Sequence, residues 1–339
     1  MFIEGIGVHI MEKTKVGIVG YGNLGKGVQS AVKRNDDIEL VGVFTRRPVD
    51  TVDVNETGVE VINTDDAEDY TDKIDVMLLC GGSATDLPVQ GPKFAALFNT
   101  VDSYDNHEEI TEYYNEINKV AEENGTTSAI SIGWDPGLFS MNRMLEEAVL
   151  PAGKGYTFWG EGVSQGHSDA VRRVDGVQDA VQYTIPKEDA IERVRSGENP
   201  ELATKDKHTR ECYIVAEEGA DKEQIKEEIV TMPNYFEDYE TTIHFISQAE
   251  LDEEHSAMPH GGFVMRSSKT GEDEENNQII EFSLKLDSNL EFTASVLVAY
   301  ARAIHKLSEE GTTGAKTVLD IPLSYLSPKS SAELRKELL

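Results

Sequence analysis

Cysteine is nearly absent: Cys80 and Cys212 are the only two in 339 residues, and their separation gives no metal-ligand spacing. That argues against a metal centre, and none is expected; so few thiols suit a reducing cytoplasm. Long apolar runs are missing too, since none approaches the roughly 20 residues a membrane-crossing helix needs. Residues 1–10 lack the basic start and long apolar middle of a secretion signal. They read as part of a short extension over 1–13, with Met11 an alternative start. Basic residues are scarce, 31 Lys plus Arg against 63 Asp plus Glu, for a formal charge of −32. A surface that acidic repels phosphate backbones and excludes nucleic acid as a partner. No internal repeat and no Gly-x-Ser-x-Gly hydrolase elbow occur.

What is present is a 39 % hydrophobic chain, long enough for two domains with cores of their own. The acids are spread through segments that also carry apolar periodicity, so they read as a solvated coat. Such a coat keeps a protein soluble where salt screens long-range charge, which suggests the salt-rich cytoplasm of a halophilic organism.

Residues 16–25, Val-Gly-Ile-Val-Gly-Tyr-Gly-Asn-Leu-Gly, read as a buried strand entering a glycine-rich turn. Gly20, Gly22 and Gly25 allow a tight turn, close approach of a pyrophosphate and close strand-to-helix packing, with phosphate at the helix N-terminus. A helical stretch over 23–33 and a second strand over 39–44 supply the context this motif requires. At the tip of that second strand an NAD enzyme usually places an acid for the ribose 2′-hydroxyl. Here Thr45, Arg46 and Arg47 follow. Guanidinium groups hold phosphate oxygens through paired, charge-assisted hydrogen bonds, so the residue types point to NADP; the alternative is a solvated arginine pair in a surface turn.

The alternation continues. A short strand over 59–63 and an apolar run over 74–80 lead to Gly81-Gly82-Ser83. A helix over 88–97 precedes a strand over 99–102 that closes on Ser103-Tyr104-Asp105. A helix over 107–124 and a strand over 128–132 then reach Gly133-Trp134-Asp135-Pro136-Gly137. This pattern predicts a Rossmann-type, doubly wound parallel sheet over 14–133. Beyond it, six strand-like segments at 156–159, 180–185, 211–216, 241–246, 262–266 and 278–285, with few helices between, predict a second α+β domain over 134–289 with a mixed or antiparallel sheet. The Ala- and Val-rich stretch 292–308 predicts a buried helix that returns to the first domain, so that 290–339 completes it. The charged stretch 269–277 reads as an exposed turn without chemistry.

Three loops at strand carboxyl ends bring polar groups to one rim of the nucleotide domain: Cys80, Gly81, Gly82 and Ser83; Ser103, Tyr104 and Asp105; Gly133, Trp134, Asp135 and Pro136. The nicotinamide is expected there. Asp105 and Asp135 are the candidates for catalysis, because two carboxylates beside a hydride acceptor can receive an ammonium group and take its proton. Each could instead cap a helix. His167 next to Ser168 and Asp169 does not make a hydrolytic triad, since adjacent residues cannot form that relay.

The phrases Gly81-Gly-Ser-Ala-Thr-Asp86, Thr100-Val-Asp-Ser-Tyr-Asp-Asn-His107, Gly133-Trp-Asp-Pro-Gly137, Phe158-Trp-Gly160, Ser164-Gln-Gly-His-Ser-Asp169 and Met258-Pro-His-Gly-Gly262 closely resemble the meso-diaminopimelate dehydrogenase family, over about Lys15 to Ser327. The resemblance implies NADP-dependent, reversible oxidative deamination of the D-configured amino centre of meso-2,6-diaminopimelate (DAP) to L-2-amino-6-oxopimelate and ammonia. It also implies a homodimeric enzyme of lysine and cell-wall precursor synthesis, whose second domain binds substrate and dimerises. Transferred to this chain, it puts the phosphate loop on Tyr21, Gly22, Asn23 and Leu24, the 2′-phosphate on Thr45, Arg46 and Arg47, and the nicotinamide on the three loops. It puts substrate on Asp105, Asp135, Trp159, Gln165, Gly166, Thr184, Arg210, His260 and Asn289. These types suit a molecule with an amino-acid group at each end: acids for the reacting amine, a guanidinium fork and other donors for the far end, an indole wall for the methylenes. Read without the resemblance, His260 could cap a turn and Arg210 could be a surface strand residue. The rival functions are a related two-domain NADP oxidoreductase of amino-acid metabolism and a non-catalytic NADP-binding sensor.

Overall fold

The computed structural model describes residues 13–54 and 56–339, so all of the expected extension but Lys13 lies outside the described residues. The chain divides into two compact units, one formed by 13–140 together with Leu290–Leu339 and the other by Met141–Asn289.

The first unit opens with strands β1 (Thr14–Val19), β2 (Ile38–Thr45), β3 (Glu60–Asn63), β4 (Val76–Leu79), β5 (Asn99–Asp102) and β6 (Thr127–Ala129), with helices α1 (Asn23–Val32), α2 (Leu87–Ala95) and α3 (Ile110–Asn124) between them. The division falls inside the next helix, α4 (Leu138–Val149), seven residues after the expected boundary at 133.

Strands of the second unit form two sheets. β8 (Gly162–Val163), β9 (Val177–Pro186), β10 (His208–Ala216) and β11 (Thr241–Phe245) make a mixed sheet of four, in which only the β10 and β11 pair is parallel. β7 (Lys154–Trp159), β12 (His260–Thr270) and β13 (Asn276–Leu286) make an antiparallel sheet of three. Five short helices accompany them, α5 (Gln165–Arg172), α6 (Glu188–Arg195), α7 (Thr204–Lys207), α8 (Lys222–Val230) and α9 (Gln248–Glu254), more than the sequence pattern predicts. Each runs for nine residues or fewer, too short for apolar periodicity to stand out against the charged surface. Their apolar sides are nonetheless used: Ala190, Ile191 and Val194 pack on Tyr156, Phe158 and Met265. Cys212 is buried with Ile214, Ile225, Ile229 and Phe236, which pushes its thiol up to about 12 and leaves it inert. The 269–277 turn is shorter than expected, because Thr270 and Asn276 already pair across the β12–β13 hairpin.

The chain returns to the first unit through α10 (Asn289–Glu309), β14 (Gly314–Lys316) and α11 (Ser331–Leu338). The first sheet has the order β14-β6-β5-β4-β1-β2-β3 and is parallel throughout. Covered on both faces, its strands must be apolar along their whole length, and Val76–Leu79 are fully buried. α10 carries Ala294, Leu297, Val298, Ala301 and Ile304 at full burial. It sits close to α1 because Gly27 lacks a side chain; a Cβ there would stand 3.1 Å from that of Ala294. Arg302 of α10 fastens the return by reaching Asp37 at 2.5 and 2.8 Å, Asn35 at 2.8 Å and the Leu326 carbonyl at 2.6 Å.

Candidate functional site

In the first unit, β1 delivers the chain into the glycine turn at the carboxyl edge of the sheet. Gly20 has φ of +90°, a conformation that L side chains rarely adopt. A Cβ on Gly25 would lie 2.2 Å from the Gly20 carbonyl oxygen, so the turn closes on α1 only with glycine at that position. Gly22 faces open space, with nothing within 4 Å of a Cβ placed there, as a backbone that must admit phosphate requires. Asn23 and Leu24 open α1 and present its first amides.

A cavity of about 290 Å³ lies beside this turn, and Gly20, Tyr21, Gly22, Thr45, Arg46, Arg47, Cys80 and Gly81 all line it. The structure thus joins residues from three strand ends, among them the whole predicted 2′-phosphate set. Thr45 is the last residue of β2, and its hydroxyl accepts a hydrogen bond from the Arg47 amide at 3.0 Å. Arg47 Nη2 donates to the Tyr21 carbonyl at 2.9 Å. Arg46 donates to Asp86 at 2.5 Å, and the other Asp86 oxygen accepts from the Gly82 amide at 3.1 Å. Both arginines are exposed at the cavity mouth, Arg46 held there by Asp86 and Arg47 by the Tyr21 carbonyl. Two guanidiniums, a hydroxyl and a bare glycine edge fit a nucleotide that ends in a 2′-phosphate. Asp86 in that clasp escaped sequence reasoning, because nothing local distinguishes it from a helix-start acid. Replacing both Arg46 and Arg47 with Ala is expected to weaken NADP binding by about tenfold or more and to spare NAD, as read by fluorescence titration of both reduced cofactors. An unchanged preference would contradict the assignment.

The other two loops expected to face the nicotinamide follow β5 and β6. Tyr104 is buried with its ring stacked on Tyr113 at 4.0 Å, while Asp105 is exposed. The Asp105 amide donates to Ser83 Oγ at 3.1 Å, which ties the first loop to the second. Asp105 caps no helix, since Glu109 occupies the N-cap of α3. In the third loop Gly137 has φ of +131°, and a Cβ on it would stand 1.9 Å from the Gly133 carbonyl oxygen. This tight coil, with a cis bond between Asp135 and Pro136, leaves Trp134 buried edge-on against Phe139 at 5.2 Å and Asp135 half-buried.

In the second unit, several of the residues expected to hold substrate connect around Met258-Pro259-His260. Gln165 Nε2 lies 2.8 Å from Met258 Sδ, the Asn289 amide donates to the Met258 carbonyl at 3.2 Å, and the Val163 amide to that of Pro259 at 3.0 Å. Gly166 follows Gln165 in the first turn of α5 and has nothing within 4 Å of a placed Cβ. His260 packs over Gly162, which pairs with Thr184, and Thr184 pairs with Arg210 in the next strand. Arg210 is buried, which excludes a surface strand residue. Its Nη1 donates to the Thr184 hydroxyl, its guanidinium lies 4.2 Å over the Tyr239 ring, and its Nε has no hydrogen-bond partner among the described residues. An orphaned donor on a buried cation is costly unless a ligand supplies an acceptor. His260 Nδ1 accepts from the Gly261 amide at 2.8 Å and lies 3.2 Å from the Gly261 carbonyl. It therefore does hold its own turn as well.

Trp159 is set by a residue the sequence did not disclose. The ring of fully buried His208 stacks on the indole at 5.6 Å, and His208 Nε2 accepts from the Trp159 amide at 2.8 Å. Burial pulls this histidine down to about 4, with Arg210 and Lys207 adding to the effect, so it stays neutral and keeps its acceptor nitrogen. His167 is likewise lowered to about 4, first by burial and then by Arg210, and contacts Ser164 Oγ at 2.8 Å. Ser168 Oγ donates to the Ser164 carbonyl and accepts from the Gln182 amide, so it is occupied and no nucleophile.

A parallel sheet with a glycine turn and two arginines beside it, followed by a unit built around a buried arginine, is the architecture of a two-domain dehydrogenase of the NADP-linked class. Residues 133–288 match the family described as the diaminopimelic acid dehydrogenase C-terminal domain. The chain is 62 % identical over 329 residues to the meso-diaminopimelate D-dehydrogenase of Ureibacillus thermosphaericus, covering 97 % of this chain and 100 % of that protein. Among solved structures, a six-site mutant of the Clostridium tetani meso-DAP dehydrogenase with DAP has a TM-score of 0.91 at 55 % identity, covering 96 % of this chain and 100 % of that one. An engineered D-amino acid dehydrogenase bound to NADP+ has a TM-score of 0.83 at 44 % identity, with 96 % and 100 % covered. The chain belongs to the meso-diaminopimelate D-dehydrogenase family.

Proposed function

We propose that this protein catalyses the NADP-dependent, reversible oxidative deamination of the D-amino centre of meso-DAP, giving L-2-amino-6-oxopimelate and ammonia, in lysine and cell-wall precursor synthesis. The observation that carries the substrate assignment is Arg210: a buried guanidinium, oriented by Thr184 and Tyr239, with one donor left over for a carboxylate. Its neighbours His260, Gln165 and Asn289 add polar groups for the remaining atoms of an L-amino-acid end, and Trp159 offers its flat face to the methylene chain.

When bound, NADP+ supplies the hydride acceptor. The chain's own part begins with the reacting ammonium, which cannot push electron density until it loses a proton. Asp105 and Asp135 bind that ammonium, and one of them takes the proton directly or through a water. The same carboxylates then orient the water that displaces ammonia. Arg210 and its partners fix the far end, so that only the D-centre is presented for reaction, and this positioning supplies much of the rate. DAP deuterated only at its D-carbon is expected to yield deuterated NADPH, whereas label at the L-carbon stays in the product; transfer from the L-carbon would contradict the assignment.

The finer features form part of the same proposal: a homodimer, located in the cytoplasm, from a halophilic organism. The net charge of −32 supports the last, since a dense carboxylate coat needs screening by salt.

A further inference from the structure

The last residue of β5, Asp102, is 1 % exposed, and its carboxylate faces inward between two loops. Oδ1 accepts from the Tyr104 amide at 3.0 Å and from the Ser131 amide at 3.0 Å. Oδ2 accepts from the Tyr113 hydroxyl at 2.7 Å, and the Asp102 main-chain carbonyl accepts from the Ile132 amide at 2.8 Å. We infer that Asp102 is a positioning residue that sets the backbone of both loops carrying Asp105 and Asp135, an inference that rests on the proposed function.

The chemistry favours this role over simple core filling. Two N–H donors converge on one oxygen and a phenol on the other, a site that only an acceptor of this shape satisfies; an apolar residue would strand two buried amides at about 1–3 kcal/mol each. One of those amides belongs to Ser131, a non-glycine residue with φ of +57°, and its hydroxyl is buried without a hydrogen-bond partner among the described residues. Such a conformation persists only where the surroundings hold it. The other amide is that of Tyr104, the residue before Asp105, whose own amide is taken by Ser83 Oγ, so successive backbone groups are pinned on the approach to the acid. No cation is among the groups bonded to this carboxylate, and burial pushes it up to about 6. The fold therefore retains a buried acid at a cost, where it joins two loops of the site.

The test uses full-length Asp102→Asn, Asp102→Ala and Tyr113→Phe proteins, shown to be folded by circular dichroism, with kcat and KM for meso-DAP and Kd for NADPH. Asp102→Asn keeps an oxygen for both amides and is expected within about fivefold of the parent kcat; Asp102→Ala is expected to lose about 100-fold in kcat with NADPH Kd within about threefold, because loop misplacement falls on chemistry. Tyr113→Phe removes only the Oδ2 contact and is expected to leave kcat within about threefold. Should Asp102→Ala fail to fold, Asp102→Ser, whose hydroxyl reaches one amide at most, is expected to lose about tenfold in kcat. A folded alanine or serine variant with parental kcat overturns the inference, as does a parallel loss of kcat and NADPH affinity, which marks a merely structural role. A parent enzyme that does not turn over meso-DAP overturns the proposed function and this inference with it; an active parent matched by its variants overturns the positioning role alone.

Discussion

Asp135→Ala is expected to lower turnover of meso-DAP by about 10²–10³-fold while leaving NADPH affinity within about threefold, the span that a positioned acid or base commonly contributes. The ammonium of the D-centre must lose a proton before its carbon can release hydride, and the 133–137 loop has no histidine or cysteine to serve instead. Gly133 and Gly137 are wound so tightly that a Cβ at either would meet the Pro136 or Gly133 carbonyl oxygen, at 3.2 and 1.9 Å, so the loop holds Asp135 in place. Trp134 beneath it is anchored on Phe139. Truncating the carboxylate therefore removes the proposed reacting group without moving the frame. Stopped-flow turnover and fluorescence titration on one sample separate the two readouts; equal losses in both would identify Asp135 as a cofactor-loop residue with no part in the chemistry.

Arg210→Lys is expected to raise KM for meso-DAP by about 30-fold or more, with a smaller change in kcat, although the charge is retained. Lysine places a point charge where the site is built for a plane. In the structure one guanidinium nitrogen is taken by Thr184 and its face by Tyr239, and its Nε has no hydrogen-bond partner among the described residues. An ammonium cannot satisfy the hydroxyl, lie flat on the phenol ring and still offer a paired donor set to a carboxylate. The loss should be specific to substrates with a far carboxylate: discrimination between meso-DAP and a D-amino acid with an apolar side chain should shrink. A variant with unchanged KM, or one that loses both substrates equally, would remove Arg210 from the substrate pocket.

The two halves of the molecule were unequally legible from sequence. The nucleotide unit announces itself because its signals are local: Gly20 and Gly25 are required by the turn they form, and Val76–Leu79 must be apolar because both faces are covered. Arg46 and Arg47 could be interpreted because they follow Thr45 at the end of β2. The second unit depends on contacts between residues far apart in sequence. His208 supports Trp159 from 49 positions away, and Gln165 meets Met258 across 93. Tyr239 reaches Arg210 from the segment before β11, and no periodicity could indicate it. Asp86 and Asp102 stood within phrases that resemble the family, yet their tasks, clasping Arg46 and joining two loops, exist only once the strands are side by side. The acid-rich 269–277 stretch reads as turn because a charged hairpin end needs only backbone pairing, to which side-chain pattern is blind.

The central claim is that one end of the substrate is recognised as an L-amino acid and the other reacts as a D-amine. Following absorbance of reduced nicotinamide in high salt with NADP+ and, separately, meso-, L,L- and D,D-DAP tests it most directly. The account predicts strong reduction with the meso isomer and little with L,L, which has no D-centre, or with D,D, which misfits the Arg210 end. Comparable rates with L,L and meso-DAP would contradict it.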